Sequence, residues 1–250
     1  MTDEPRAWQV VLDSIERDLL EGRLRPGDHL PGERALSAAL GVGRSSVREA
    51  LRVLEVLGLV RTATGSGPNS GAIIVSLPGG GMSALMRLQV AATGFAVADI
   101  VKTRLVLETA VASELAAAPQ RASLATAVEL LDVMESRPLP EAEFLSIDAQ
   151  FHLTLAEASG NQVIAATMAG LRNSIESYAR LGAATLPSWS RTAARLMLEH
   201  RDIVAAIQSG DAASARKTVH AHISRYYAEI SLPTFSILPT GVSDAAPRGT

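Results

Sequence analysis

No cysteine occurs anywhere in the 250 residues. That absence excludes a disulfide framework and a thiolate metal site, so any bound metal must be held by histidine, aspartate, glutamate or water. It also fits a cytoplasmic protein. Long apolar runs are lacking as well: Glu, Asp, Arg or Lys interrupts every hydrophobic segment before the roughly 20 residues that a spanning helix needs. No membrane partner is expected. The first residues carry Asp3 and Glu4 and lead into an amphipathic stretch, which predicts no secretory leader. Nor is there an excess of positive charge. A formal net charge of -3 argues against indiscriminate coating of nucleic acid, yet leaves room for a local basic face. What is plentiful is apolar material, 47% of the residues, enough for one large core or two ordinary ones.

That material is patterned. Val11, Leu12, Ile15, Leu19 and Leu20 form a helical stripe within Trp8–Glu21 that stops at Gly22. Arg25-Pro26-Gly27-Asp28 is turn chemistry, and Leu30-Pro31-Gly32-Glu33 opens a second helix that runs through Leu40. Gly41 and Gly43 break it. Arg44-Ser45-Ser46 then starts a third helix, with Val47, Leu51, Leu54 and Leu57 on one face, closing at Gly58. Two β-prone runs, 59–63 and 72–75, flank a Gly-, Ser- and Asn-rich stretch and predict a two-stranded ribbon with a long tip. Three helices and a ribbon make a winged helix-turn-helix over residues 1–76. Residues 77–83, containing Pro78-Gly79-Gly80-Gly81, predict a flexible linker. Residues 84–232 are Ala- and Leu-rich with helical periodicity and predict an all-α bundle of six or seven helices. Residues 233–250 carry no periodicity and predict a disordered tail. The expected fold class is therefore mainly α, in two domains.

A recognition helix must offer hydrogen-bond donors from its first two turns, the end that lies deep in the major groove. Arg44 and Arg48 lie one turn apart on one face, and Ser45 and Ser46 are short hydroxyl donors at the positive end of the helix. Gly65 and Gly67 would let a wing backbone approach the minor groove. On these residues alone, a solvated face with ion pairs of the Arg48–Glu55 type remains equally open. The run Gly27-Asp28-His29-Leu30-Pro31-Gly32-Glu33-Arg34-Ala35-Leu36, with Leu40 to Leu51 and Leu54 to Val60, resembles the N-terminal domain of GntR-family regulators. The resemblance implies DNA contacts from Arg34, Arg44 and Arg48, supported by Ser45, Ser46 and Gly65. Two positions depart from that pattern. Gly32 stands where Ser or Ala is common, and Gly43 where a Ser or Thr often caps the recognition helix, which removes a hydroxyl able to meet phosphate.

Four of the five histidines follow residue 150. Asp148 and His152 are one helical turn apart within a helix expected over 141–159, so both project from one face. His200 sits in a helix expected over 195–208, and His222 follows Ala212, Ala215 and Val219 on the inward face of the last helix. His220, two residues from His222, must point the other way. Three imidazoles and one carboxylate suit zinc first, or nickel, manganese or iron, with positions left for water or a ligand. The same residues are also compatible with ordinary core histidines. Asp148-Ala149-Gln150-Phe151-His152, Ala158-Ser159-Gly160-Asn161, Glu199-His200 and the helix bearing His222 resemble the all-helical FCD effector domain of the FadR-type GntR subfamily. That resemblance implies a divalent metal on Asp148, His152, His200 and His222 with a small organic acid beside it.

Arg104-Leu105-Val106-Leu107-Glu108 resembles the subfamily's Arg-x-x-x-Glu helix, and Arg104 is the candidate carboxylate anchor, with an Arg104–Glu108 helix pair as the alternative. Asn173 is a candidate second effector contact or a surface amide. One winged helix reads few base pairs, so a homodimer on a palindromic double-stranded operator is expected, acting as a repressor released by its carboxylate effector. Two other readings stay open: a sensor of the metal itself, and a metal-dependent hydrolase, against which no general base stands nearby.

Overall fold

The computed structural model describes residues 6–63, 71–75, 80–93, 95–118 and 123–230. The chain divides into two compact units. The first is built from α1 (Ala7–Leu20), α2 (Glu33–Leu40), α3 (Arg44–Val56) and the strands β1 (Val60–Ala63) and β2 (Gly71–Ile74). To these it adds the first turns of α4 (Gly80–Thr93) and of α8 (Gln162–Ala183).

In the first unit the apolar stripes meet as their spacing requires. Val11 and Ile15 of α1 and Val47, Ala50, Leu51 and Leu54 of α3 are buried together with Val60 and Ile74 of the ribbon. Each fully buried Val, Leu or Ile contributes roughly 1.5–3 kcal/mol. Gly41 closes α2 in the left-handed conformation, at φ 66°. Ser37 Oγ donates to Val42 O at 2.6 Å and fixes the turn into α3. The strands pair antiparallel, Val60 opposite Ile74 and Arg61 opposite Ile73. The segment before α2 joins them: Ile74 N donates to Asp28 O at 2.9 Å and Leu30 N to Ala72 O at 2.8 Å. The expected tip, including Gly65 and Gly67, lies outside the described residues.

One expectation changes here. Residues 80–83, assigned to a linker, are the first turn of α4. Gly81 lies against the C-terminus of α3 so closely that a Cβ there would collide with the Leu57 carbonyl, and a glycine permits that contact. Ser83 Oγ, also on α4, donates to Ala166 O of α8 at 3.0 Å. Residues 76–79 and the expected tail lie outside the described residues.

Among the described residues the second unit contains helices and no strand. It comprises α5 (Val97–Ala117), α6 (Ala125–Ser136), α7 (Glu141–Ala158), α9 (Trp189–Ser209) and α10 (Ala212–Glu229), with the remainder of α4 and α8. Among the described residues, α4 to α10 make seven helices, the upper end of the six or seven expected. Asp211 caps α10 by accepting from Ser214 N at 2.9 Å, and Gly210 ends α9 at φ 82°. Helix α10 runs along α5 and α9, and α7 packs on α5 and α6. From Phe151 to Ala156 every side chain of α7 is buried, the mark of a helix enclosed on all sides. Asp148 and His152 therefore sit in the interior, where an unpaired polar group is costly.

Candidate functional site

Three helices converge on one buried cluster. Asp148 and His152 come from α7, His200 from α9 and His222 from α10, and one ligating atom from each lies within 4.8 Å of all the others. The residues are buried, His200 completely. His152 Nε2 and His222 Nε2 face each other at 3.2 Å, and His200 Nε2 stands 3.0 Å from Asp148 Oδ1. Both His200 nitrogens lack an aligned hydrogen bond among the described residues, despite that short approach to Asp148. An orphaned polar atom in the interior costs about 1–3 kcal/mol. Two facing ring nitrogens and an orphaned third, around a carboxylate, fit a shared cation at their centre.

The outer nitrogens are held by carboxylates. Glu108 Oε2 lies 2.6 Å from His152 Nδ1, a close approach that falls short of hydrogen-bond alignment. Glu199 Oε2 lies 3.0 Å from His222 Nδ1. Glu199 is itself held by Arg195 and Arg225, each at 2.7 Å. Carboxylates behind ring nitrogens turn the Nε2 atoms inward and raise their basicity. Burial holds the His222 imidazolium down, to about 4, with the neighbouring His200 adding to it, and burial likewise lowers His200. Burial pushes the Asp148 carboxyl up, but the His200 contact and the surrounding imidazoles outweigh it and keep Asp148 ionised. Lowered His200 and His222 imidazoles beside an ionised Asp148 suit a divalent cation, which binds the neutral ring and the carboxylate. Nitrogen and oxygen donors in this ratio could hold zinc, nickel, manganese or iron.

Arg104 of α5 stands beside this cluster, buried. Its Nε donates to Glu108 at 2.6 Å and its Nη1 to the Tyr178 hydroxyl at 3.2 Å. Burial raises the Glu108 carboxyl, but the Arg104 guanidinium outweighs it and takes the carboxyl down to about 2. Of the two alternatives in the sequence, the Arg104–Glu108 helix pair forms. Arg104, Asp148 and His222 share a cleft with Leu145, Leu196, Ile223 and Tyr227, and its cavity of about 10 Å³ has the volume of about one water.

Asn173 does not join them. It is exposed on α8, in a shallow depression with Glu176, Ser177 and Arg180, because its side of the helix faces away from the inward residues Leu171, Ile175 and Tyr178. His220 is exposed, as its spacing from His222 requires. Residue-by-residue reading named Glu108 only as a helix partner of Arg104 and Glu199 only within a family motif, and gave Tyr178 no role. The signal for Glu108 was its place four residues after Arg104, and for Glu199 its place next to His200.

In the first unit Arg34, Arg44, Ser45 and Arg48 are exposed and Ser46 is half-buried. Arg44 and Arg48 gather at Glu33 of α2, at 3.7 and 3.9 Å. The ion pair considered between Arg48 and Glu55 does not form: Glu55 instead accepts from the Thr62 backbone at 3.0 Å and from its hydroxyl, which ties α3 to the ribbon. No N-cap side chain covers the start of α3, where Gly43 stands.

A winged helix-turn-helix with an exposed basic edge, joined in one chain to an all-helical unit with a buried ligand cluster, defines a DNA-binding transcriptional regulator. Residues 8–68 match the profile of the bacterial regulatory proteins of the gntR family, and residues 99–225 match the FCD domain. The chain belongs to the GntR family of transcriptional regulators, in the FadR-type branch that carries an FCD domain. It is 30% identical to the HTH-type transcriptional regulator LutR of Bacillus subtilis over 81% of this chain and 91% of that protein. It is 30% identical to the Glc operon transcriptional activator of Escherichia coli, over 68% of each. It is 34% identical to the HTH-type transcriptional repressor NanR of Klebsiella aerogenes over 65% of this chain, and that match spans only 62% of the repressor's length. Among solved structures it is similar to Streptococcus agalactiae GntR, at 25% identity and a TM-score of 0.54 over 88% of this chain and 98% of that one. The relatives are regulators, not enzymes, and no described helix is long and apolar enough to cross a membrane.

Proposed function

We propose that this regulator binds a palindromic operator as a homodimer and represses transcription. Asp148, His152, His200 and His222 hold a divalent metal, and a small carboxylate effector bound at Arg104 releases the DNA. The observation that carries this reading is the convergence of those four ligands, buried, beside a buried guanidinium that lines the same cleft. When bound, the metal supplies positive charge and open coordination positions. The chain's own residues do the rest. Glu108 and Glu199 orient His152 and His222, Arg104 offers guanidinium donors to a carboxylate, and Leu145, Leu196 and Ile223 exclude water.

Arg34, Arg44 and Arg48 contact DNA, with Ser45, Ser46 and Gly65 in support. Two winged units on a two-fold operator give the specificity that one cannot. The effector acts by repacking the helical unit, which changes the spacing of the two recognition helices with a coupling of roughly 1–3 kcal/mol. Relatives named as a repressor and as an activator leave the sign of regulation to experiment.

The test is metal content of the purified protein by mass spectrometry, alongside a His152→Ala/His200→Ala double variant. One metal per chain, lost in the variant, is the expected result. A folded, metal-free wild type returns the histidines to the core and leaves only the DNA-binding half of the reading.

A further inference from the structure

The two carboxylates behind the ligand cluster are held in different ways. Glu108 is enclosed by the core, its side chain only 6% exposed, so packing leaves it little room to turn away from His152. Glu199 lies nearer the surface, where its long side chain gains rotamer freedom by swinging out into water. Something other than the core must hold it against His222.

Two arginines do so. Glu199 Oε2 meets His222 Nδ1 at 3.0 Å, while Oε1 accepts from Arg195 Nη1 and from Arg225 Nη1, each at 2.7 Å. The other prong of Arg195, Nη2, donates to Glu229 Oε2 at 2.6 Å. Arg195 and Glu199 belong to α9, whereas His222, Arg225 and Glu229 belong to α10, so one planar guanidinium ties a carboxylate of each helix. The two arginines are not equal. The Arg225 side chain is 55% exposed and that of Arg195 only 22%, and an ion pair open to water contributes little. Arg195 is therefore the stronger holder.

We propose that Arg195 is a positioning residue for the ligand cluster: by fixing Glu199 it turns the His222 ring so that Nε2 faces His152. The inference rests on Asp148, His152, His200 and His222 being a metal site. Without Arg195, Glu199 keeps only the exposed Arg225 on Oε1, its Oε2 drifts from His222 Nδ1, and the ring loses the acceptor that sets its orientation. Loss of a group behind a ligating imidazole lowers metal affinity because the ring must then be ordered by the metal itself. The same arginine also staples α9 to α10 through Glu229, so a purely structural role is the alternative. Glu229 separates the two. Glu229→Gln weakens the staple and leaves the bond between Arg195 and Glu199 in place.

The test compares the full-length wild type with Arg195→Met and Glu229→Gln. Zinc affinity is read by competition with a chromogenic chelator, and the visible spectrum of the cobalt-loaded protein reports the ligand field. Denaturant unfolding of the metal-free proteins measures the staple on its own. Arg195→Met is expected to weaken zinc binding by about three- to tenfold, less than the 10- to 100-fold typical when the supporting group itself is removed, and to shift the cobalt bands. Glu229→Gln is expected to leave zinc affinity within about twofold and the cobalt bands in place, since the group behind His222 is unchanged. Equal losses of zinc affinity in the two variants assign Arg195 to the staple and overturn the inference, as does an Arg195→Met protein that binds zinc like the wild type. A folded wild type that takes up neither zinc nor cobalt removes the metal site itself, and this proposal with it.

Discussion

Glu108 Oε2 stands 2.6 Å from His152 Nδ1 while Oε1 of the same carboxylate accepts from Arg104 Nε at 2.6 Å, so one buried side chain joins the ligand cluster to the candidate effector anchor. Whatever moves Arg104 therefore moves the carboxylate behind a metal ligand. For the metal and effector proposed above, this predicts linked affinities, and such a linkage is reciprocal.

Glu108→Gln keeps the shape and removes the charge. The buried Arg104 then has no carboxylate opposite it, and breaking a buried pair from one side costs roughly 3–5 kcal/mol. Removal of the group behind His152 should also weaken zinc binding by about 10- to 100-fold. Denaturant unfolding and a competition titration with a chromogenic chelator measure the two effects. A loss of less than about 1 kcal/mol with unchanged zinc affinity means that the pair does neither job.

Metal removal should lower thermal stability in the wild type. A ligand present at about 100 times its Kd adds about 2.7 kcal/mol to the folded state. In a unit of this size that corresponds to roughly 5–10 °C in Tm. Calorimetric scans with and without chelator should show the drop and its reversal by zinc. The His152→Ala/His200→Ala double variant should show neither, and a chelator-induced drop in that variant would place the metal elsewhere.

On the DNA face, Arg44→Ala and Arg48→Ala should each weaken operator binding by roughly 1–3 kcal/mol and lower the salt dependence if they meet phosphate. Glu33 carries the opposite sign. It stands 3.7 and 3.9 Å from the two arginines and competes with phosphate for them. Glu33→Gln should tighten DNA binding, by less than about 1 kcal/mol because the pairs are largely exposed. Fluorescence anisotropy over a salt series reads all three. Weaker binding in Glu33→Gln would show instead that Glu33 positions the arginines for DNA.

Asn173→Ala should change neither carboxylate binding nor stability by more than about 0.5 kcal/mol, since the side chain is exposed and away from the Arg104 cleft. A loss of effector affinity in calorimetry would put Asn173 back into the site.

Local pattern carried the winged unit almost complete. Val47, Leu51 and Leu54 announce an α-helix by spacing alone, and Gly41 announces its neighbour's end, because both are properties of a few consecutive residues. The pairing of Asp148 with His152 was legible for the same reason, one helical turn being a local distance. Helix α4 was not. Pro78-Gly79-Gly80-Gly81 reads as a linker, whereas Gly81 is helical and packs against Leu57, a contact between residues too distant in sequence for periodicity to register. Asn173 failed in the other direction, since a polar residue on an amphipathic helix carries no mark of which neighbour, if any, it faces.

By itself the sequence determined the helices, the ribbon, the absence of thiolate chemistry and the inward face of each histidine-bearing helix, all of which follow from short-range geometry and composition. Only the tertiary structure decided that α7, α9 and α10 bring one ligating atom from each of three histidines and Asp148 to within 4.8 Å of one another, and that Glu108 and Glu199 stand behind two of the rings. Those relations depend on how helices cross, which is set by the packing of whole faces against one another and not by the order of residues along any one of them.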